Sequence, residues 1–299
     1  MVSQVDGQPL RLEAGGRLVS PDGTRYAVTG GIADLLDPRL MDNSVTAEIK
    51  VFQELPIERV PYFRRELFRE AVTIATDTLG RAPQAVVEIG GGEGYLAQSF
   101  ADAFGNCASY VCDVSQRSLA NAGPGLHKIR CDARRPYLAH ASMDVAAFWV
   151  SLHHFHGDDM RLALKRAVEI LKPGGVLLIF EPNEDFIVRR LFYRSILSRL
   201  VYFDEQEKGV RYSLLAEWAR SEKLDTRLVT GRNPPYNIRF LRHFSLWPLF
   251  YLATESLRFM ELLIRWFRLS LPPWSRDNSF TEPGMVKTSL YLLTLFIKR

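Results

Sequence analysis

The chain has 299 residues, of which 47% are hydrophobic, and a formal net charge of +4. This length and composition can bury one large hydrophobic core with additions, in one or two domains. The three cysteines are an odd number without C-x-x-C spacing. They argue against a disulfide framework and a structural zinc site, and they fit a reducing compartment.

Neither end of the sequence suggests secretion or a membrane span. Residues 1–11 are polar and contain no apolar signal core. The longest uncharged, apolar-rich run near the C-terminus, residues 244–254, is too short to cross a bilayer. We therefore expect a cytoplasmic protein, peripheral at the inner face of the membrane where it contacts lipid.

The first 45 residues are expected to form a small β module. Short strands occur within residues 10–36, and Gly15-Gly16 and Asp22-Gly23 mark the hairpin turns between them. Residues 61–79 then have the apolar spacing of an amphipathic helix that leads into the next segment.

The most informative stretch is an apolar strand that ends in glycines. Residues 85–89 have the β-branched character of a central parallel strand, and residues 95–104 return to helical spacing. Between them Gly90, Gly92 and Gly94 form a G-x-G-x-G pattern. The dinucleotide pattern G-x-G-x-x-G fails in both registers. Such a loop lets the backbone approach a ligand and presents the free N–H groups of a helix N-terminus.

Three acidic residues are expected at the ends of three parallel strands. Glu88 lies near the end of the first strand, where a carboxylate suits a cationic ligand. Residues 108–111 form a second strand that closes at Asp113, a position suited to ribose hydroxyls, and residues 127–131 form a third that closes at Asp132. Each acid alone is more often structural. Together they converge on the crevice where such sheets bind ligands.

Two more buried strands complete a recognisable order. Residues 143–150 form the fourth strand, and the sequence L-K-P-G-G at residues 171–175 leads into the fifth, residues 176–180. With these elements, the segment from about residue 85 to residue 182 resembles a class I S-adenosylmethionine-dependent methyltransferase. The resemblance implies an α/β fold with a Rossmann-like core of seven strands, and S-adenosyl-L-methionine as the cofactor.

The same resemblance implies which residues hold the cofactor. The glycine loop and the first acid would hold the methionine part, the acid after the second strand the ribose, and the acid after the third strand the adenine amino group. The implied contacts are Glu88, Gly90, Gly92, Gly94, Asp113, Val114, Asp132 and Ala133.

The N-terminal module also has a resemblance. It is similar to the zinc-ribbon-like domain found at the start of many bacterial methyltransferases and in the small activator subunit of tRNA methyltransferases. No cysteine precedes Cys107, so we expect a form without metal. An ordinary β-hairpin is the alternative interpretation.

Candidate catalytic residues follow the fourth strand, in the sequence S-L-H-H-F-H at residues 151–156. Methyl transfer mainly requires alignment of donor and acceptor, and a base helps only where the acceptor carries a proton. Histidine is suited to accept a hydroxyl proton. We expect His154 to act as the base, with His153 as the second candidate and His156 behind both. A structural or cofactor-side role for either of the first two stays open, and a metal site is not expected.

The basic excess of the chain lies entirely after residue 183. Residues 186–203 place four arginines among apolar side chains without an acid, which predicts a helix that is basic on one side and apolar on the other. Such a helix lies on an anionic membrane surface or caps an active site.

A second insertion separates the last two predicted strands, residues 226–230 and residues 289–297. Within it, residues 240–271 are predicted to be helical, with only a narrow polar stripe on part of that length. So wide an apolar face cannot be left in water. A soluble lid, a membrane contact and a dimer interface all remain open, and the sequence predicts no oligomeric state.

These observations predict a chain with three parts: a β module at residues 1–45, a cofactor-binding core at residues 46–183, and the rest of the core at residues 184–299. Helical insertions are expected at about residues 184–208 and 234–284. The predicted activity is methyl transfer to a hydrophobic or lipid-linked small molecule, with a hydroxyl oxygen as the preferred acceptor atom. An RNA methyltransferase and a non-catalytic cofactor-binding protein are the alternatives. Nucleic acid is disfavoured because the charge is modest and the arginines alternate with aliphatic residues.

Overall fold

The computed structural model describes residues 1–3, 6–13, 15–54, 62–135, 137–155, 157–186, 209–232, 280–281 and 291–299. The helices in these residues are α1 (Asn43–Glu54), α2 (Tyr62–Leu79), α3 (Tyr95–Ala103), α4 (Gln116–Asn121), α5 (Asp158–Ile170) and α6 (Tyr212–Ser221). The strands are β1 (Arg11–Glu13), β2 (Arg17–Val19), β3 (Arg25–Tyr26), β4 (Val28–Thr29), β5 (Ile32–Asp34), β6 (Ala85–Ile89), β7 (Ala108–Asp113), β8 (His127–Arg130), β9 (Met143–Trp149), β10 (Leu171–Pro182), β11 (Asp225–Arg232), β12 (Phe280–Thr281) and β13 (Tyr291–Ile297). Short 3-10 turns lie at Pro38–Leu40 and Leu152–His154.

The described part of the chain contains one large sheet of ten strands, in the order β12-β11-β13-β10-β9-β6-β7-β8-β5-β4. Strands β6 to β10 run parallel to their neighbours within this group, and β13 is antiparallel to both β10 and β11. The seven strands from β11 to β8 confirm the predicted Rossmann-like α/β core.

Helices cover both faces of the central strands, which explains their continuous apolar sequences. Along β9, Val145 and Ala147 pack in a cluster with side chains of α2, whereas Ala146 and Phe148 pack in a second cluster with side chains of α5. Successive residues of a strand point to opposite faces, so a strand covered on both faces has no polar side to alternate with.

The N-terminal segment forms two separate pieces of β structure. Strands β1, β2 and β3 form a small antiparallel sheet, and the predicted glycine turns lie between them, with positive φ at Gly15, Gly16 and Gly23. The β4–β5 hairpin instead joins the large sheet, because β5 pairs in parallel with β8. The hairpin therefore covers an edge strand that would otherwise be open. The boundary proposed at residue 45 stays a prediction.

The predicted helical insertions lie outside the described residues, apart from residues 184–186 at the start of the first and residues 280–281 near the end of the second, which form strand β12 rather than helix. Their interpretation as a lid, membrane contact or dimer interface therefore stays a prediction. Among the described residues, no helix is both long enough and apolar enough to cross a bilayer.

A buried ion cluster ties the strands together at the edge of the sheet opposite the predicted site. Asp144, at the start of β9, is fully buried and accepts hydrogen bonds from Arg81 at 2.6 Å and from Lys172 at 3.0 Å. It also accepts the backbone N–H groups of Gln84 and Ala85 at 2.7 and 2.9 Å. This one carboxylate therefore holds the beginnings of β6, β9 and β10 in register.

Candidate functional site

The loops that follow β6, β7, β8, β9 and β10 leave the sheet at its carboxyl edge, where ligands bind in open parallel sheets. The predicted site residues lie in these loops or at the strand ends before them. The structure therefore brings the glycine loop, the strand-end acids and the histidines to one edge.

The glycine loop has backbone φ angles that residues with a side chain rarely adopt. Gly90, Gly92 and Gly94 have φ of 64°, 54° and 71°, which lie in the left-handed region. A Cβ added at Gly90 would lie only 2.7 Å from the Cβ of Ser151, so this glycine allows close packing. A Cβ at Gly92 would meet nothing nearer than Ser118, at 3.8 Å. Gly92 thus borders open space, as a loop that approaches a ligand requires.

Glu88 is buried beneath the loop and anchors the helix that follows. Its carboxylate accepts the N–H of Ala97 at 2.8 Å, and the N–H of Leu96 also bonds to it. Burial raises the pKa of Glu88 to about 8, against the lowering effect of these two bonds. Burial thus disfavours the charged form of Glu88, and its direct contact with a cationic ligand stays a prediction.

Asp113 connects the second strand to the glycine loop. Its Oδ2 accepts the N–H of Gly92 at 2.8 Å, and its Oδ1 accepts the N–H of Ser115 at 2.7 Å. An ionised carboxylate has about four acceptor positions, so it can accept from several donors at once. The side chain is half-buried at the carboxyl edge, where the ribose was predicted.

Asp132 is buried at the end of β8 and is paired with Arg134. The Nε and N–H of Arg134 donate to Oδ1 at 3.0 and 2.9 Å, and its Nη2 donates to Oδ2 at 2.9 Å. Arg134 also bridges to Asp42 before α1 and to Asp159 in α5, at 2.8 and 2.9 Å. Burial disfavours the charge of Arg134, but these carboxylates outweigh it and raise its pKa. An adenine contact by Asp132 therefore requires the ligand to share this carboxylate with Arg134.

The neighbouring backbone positions are close to the same edge. Ala133 is buried directly after Asp132, and Val114 is half-buried after Asp113. The carbonyl oxygen of Val114 accepts a hydrogen bond from Nε of Arg130 at 3.0 Å. Arg130 also pairs with Asp34 of β5 at 2.9 Å, so the N-terminal hairpin supports the chain beneath the predicted adenine site.

The chain makes a strained turn after β9. Val150 has φ of 55° and is 38% exposed, although a β-branched residue rarely adopts the left-handed region. Such strain persists only where surrounding contacts hold it. Here the N–H groups of Ser151 and Leu152 both donate to Oε1 of Glu181, at 2.8 and 2.7 Å, and the Ser151 hydroxyl donates to the carbonyl of Ile89 at 2.7 Å. The turn is therefore fastened both to β10 and to the end of β6, directly before the glycine loop.

The two predicted catalytic histidines lie in this turn and contact each other. Their ring centroids are 4.1 Å apart. His153 is 6% exposed, and its Nδ1 lies 2.8 Å from Oε2 of Glu181, whereas His154 is half-buried. His156 lies outside the described residues. Among the described residues, no group of three histidine, cysteine or acidic side chains is placed to hold a metal ion.

Sequence reasoning missed two residues of this edge, Glu181 and Arg134. Glu181 has a visible signal, because it ends the buried strand β10 just as Glu88, Asp113 and Asp132 lie at or near the ends of theirs. Arg134 has no comparable signal, since its partners Asp42 and Asp159 are distant in the sequence.

These residues fit a nucleoside-linked amino acid. The glycine loop provides an open backbone cradle, and Asp113 places a carboxylate beside it. The N-terminus of α3 follows directly, and Glu88 accepts the N–H groups of Leu96 and Ala97 there. Gly92, Gly94 and Asp113 would hold such a ligand, with Val114 and Ala133 bordering its base.

Comparison with known proteins supports this assignment. Residues 86–175 match the family model described as a methyltransferase domain. The plantazolicin methyltransferase BpumL, solved with a pentazolic desmethylPZN analog and S-adenosylhomocysteine (SAH), shares 16% identity over 88% of this chain and 92% of its own, with a TM-score of 0.50. The PH0226 protein from Pyrococcus horikoshii OT3 shares 12% identity over 84% and 99%, with a TM-score of 0.51.

A search of curated proteins finds no match to this chain. At the identities of the solved structures, their likeness shows a shared fold. The sequence match covers the glycine loop, the strand-end acids and the histidine turn. Residues 86–175 thus match a methyltransferase domain, and the strand order around them is that of the Rossmann-like α/β core predicted for an S-adenosylmethionine-dependent methyltransferase.

Proposed function

We propose that the chain methylates a hydroxyl oxygen of a hydrophobic or lipid-linked small molecule. The observation that carries this proposal is the carboxylate–histidine pair of Glu181 and His153, next to the glycine loop. S-adenosylmethionine supplies an electrophilic methyl group when it is bound. The residues of this chain align the acceptor, exclude water and take up the acceptor proton.

A hydroxyl group is a weak nucleophile until it loses its proton, so a base near the reacting atoms has a clear purpose in methyl transfer to oxygen. The histidine turn is joined to the end of β6, directly before the glycine loop, by the bond from Ser151 to Ile89. An acceptor at this edge is therefore close to both the cofactor loop and an imidazole. Acceptors that carry no removable proton would not need this arrangement.

The apolar nature of the acceptor is supported by aromatic side chains at the same edge. The rings of Trp149 and Phe180 stack with centroids 4.2 Å apart, and Phe180 stacks on Tyr291 at 5.0 Å. Trp149 and Tyr291 are half-buried. The predicted apolar and basic segments at residues 186–203 and 240–271 add a sequence-based reason to expect a lipid-like acceptor.

The direct test is to identify what the protein methylates. The purified chain is incubated with methyl-labelled S-adenosylmethionine and either a total lipid extract or total RNA from the source cells, and any co-purifying ligand is identified by mass spectrometry. We expect label in an apolar small molecule, as a methyl ether. Label that enters only the RNA would overturn the proposal in favour of an RNA methyltransferase.

We expect Asp113→Ala to weaken S-adenosylmethionine binding at least about tenfold. Hydrogen bonds to a charged group contribute roughly 1.5–3 kcal/mol each, and the substitution removes the two predicted for the ribose. It also removes the bond that holds Gly92. Isothermal titration calorimetry measures the affinity, with Asp102→Ala on the exposed side of α3 as the control. Unchanged affinity would remove the ribose contact from Asp113.

We also expect salt-sensitive binding to anionic membranes. The arginines of residues 186–203 would each contribute about 1 kcal/mol near an anionic leaflet. Sedimentation with phosphatidylglycerol-containing and pure phosphatidylcholine liposomes compares the native chain with a variant in which four arginines become Gln. These are Arg189, Arg190, Arg194 and Arg199.

A matched control carries the same change of charge elsewhere. Four exposed arginines of the described structure become Gln in this variant: Arg11, Arg17, Arg25 and Arg69. We expect it to sediment with anionic liposomes like the native chain, whereas the first variant stays in solution. If the native chain itself fails to bind anionic liposomes, the membrane contact is wrong and a soluble lid is favoured.

A further inference from the structure

Glu181 is a fully buried carboxylate that serves two different partners at the carboxyl end of β10. Its Oε1 accepts the backbone N–H groups of Ser151 and Leu152, at 2.8 and 2.7 Å. Its Oε2 lies 2.8 Å from Nδ1 of His153. One oxygen therefore fastens the strained turn at Val150, and the other is directed at an imidazole.

We propose that Glu181 is a positioning residue that keeps the proton of His153 on Nδ1, which leaves Nε2 as the atom that accepts a proton from the acceptor. This inference rests on the proposed function for the identity of the proton donor. Its structural part, the choice of tautomer, depends only on the contacts of Glu181.

The choice of tautomer follows from hydrogen-bond chemistry. An ionised carboxylate only accepts hydrogen bonds, so Nδ1 of His153 must carry the hydrogen in this contact. In a neutral imidazole the lone pair is then on Nε2. The two N–H groups at Oε1 are donors as well, so Glu181 acts as an acceptor at both of its oxygens. The fastened turn and the tautomer of His153 are thus set by the same side chain.

The contact between Glu181 and His153 is not needed to hold the turn. The two backbone bonds at Oε1 and the Ser151 bond to Ile89 already hold the turn. A carboxylate that also orients an imidazole is a recurrent feature of histidine bases, where it fixes the tautomer and stabilises the imidazolium after proton transfer. His153 therefore replaces His154 as the first candidate for the base, since its ring has this partner.

Glu181→Gln separates the two roles of this residue. The amide oxygen still accepts the N–H groups of Ser151 and Leu152, so the turn is kept. The amide nitrogen, however, donates to Nδ1 of His153 and moves the histidine proton to Nε2. The variant therefore changes the tautomer while it preserves the shape of the site.

The test is nitrogen-15 NMR of histidine-labelled protein with bound SAH, at a pH where His153 is neutral. Two-bond nitrogen–hydrogen correlations distinguish a protonated from an unprotonated ring nitrogen, and His153→Gln assigns the signals. We expect the native chain to show a protonated Nδ1 and an unprotonated Nε2, and Glu181→Gln to show the reverse. The control Glu222→Gln, at an exposed carboxylate, keeps the native pattern.

A native His153 with its proton on Nε2 would overturn the inference, as would an unchanged tautomer in a folded Glu181→Gln variant. If that variant does not fold, the native spectrum alone still decides the tautomer, and Glu181→Asp supplies the second comparison. Failure of the proposed function is a separate outcome. It would show as absence of hydroxyl methylation by a chain whose His153 has the expected tautomer.

Discussion

Replacement of Asp144 by Ala is expected to lower the free energy of unfolding by about 3–5 kcal/mol, the usual cost of breaking a buried ion pair. The substitution leaves the N–H groups of Gln84 and Ala85 without their acceptor, and it removes the shared partner of Arg81 and Lys172. Urea unfolding followed by circular dichroism measures the change. Loss of register between β6 and β9 is the physical reason.

Two variants make this prediction specific. Asp144→Asn keeps an acceptor oxygen and should be less destabilising than Asp144→Ala. Asp225→Ala, which breaks the exposed pair with Arg299, should leave the unfolding midpoint nearly unchanged. If Asp144→Ala unfolds at the same urea concentration as Asp225→Ala, the cluster does not stabilise the sheet.

Asp144 should also make the stability of the folded chain depend on pH. Burial opposes the ionisation of Asp144, but the bonds from Arg81, Lys172 and the backbone outweigh it and lower the pKa from 3.8 to about 2. A depressed pKa in the folded chain means that this stabilisation is present above about pH 4 and is lost as the pH falls toward 2. The stability difference between the native chain and Asp144→Asn should therefore shrink below about pH 4.

The core of the fold was predictable from local sequence because its strands are buried on both faces. An apolar run such as residues 145–149 of β9 is compatible with few structures other than a buried strand, and the glycine loop marks where the first strand ends. The order of strand, loop and helix then placed Asp113 and Asp132 at the carboxyl edge. These inferences needed only short-range patterns.

What the sequence did not indicate depends on partners that are far apart in the chain. Arg134 pairs with Asp132, two residues away, and also with Asp42 and Asp159. No local sequence pattern predicts that one arginine contacts all three carboxylates. The pairing of β5 with β8 is similar, because a short hairpin carries no signal for the edge it will cover. Glu88 illustrates a different limit: its position was predicted, but its burial and raised pKa are properties of the packed helix above it.

The histidines show how a contact changes the ranking of two adjacent residues. The sequence L-H-H offers no reason in itself to prefer either imidazole, and His154 was expected to be the base. In the structure, the buried Glu181 contacts His153, which is the reason to propose His153 first, while both assignments stay predictions. The strained backbone at Val150 forms the sharp turn that brings Leu152 and His153 back to the end of β10.

We expect His153→Ala to lower kcat by about 10²–10⁴-fold for the acceptor found in the labelling experiment, with nearly unchanged S-adenosylmethionine affinity. The loss of the proton-accepting Nε2 is the physical reason. His153→Gln is the matched variant, since its amide still donates to Glu181 and keeps the turn but offers no base. An equal loss in both variants therefore assigns the effect to proton transfer rather than to the turn.

His154→Ala serves as the comparison within the same turn and should lower kcat less than His153→Ala. Steady-state kinetics give kcat and KM for each variant, and calorimetry gives the affinity for the cofactor. If His154→Ala causes the larger loss, the base is His154 and the tautomer of His153 serves another purpose. If His153→Gln retains native turnover while His153→Ala does not, the ring has a packing role only. If kcat and cofactor affinity fall together, the histidines belong to the cofactor site, because a base that acts only on the acceptor leaves cofactor binding intact.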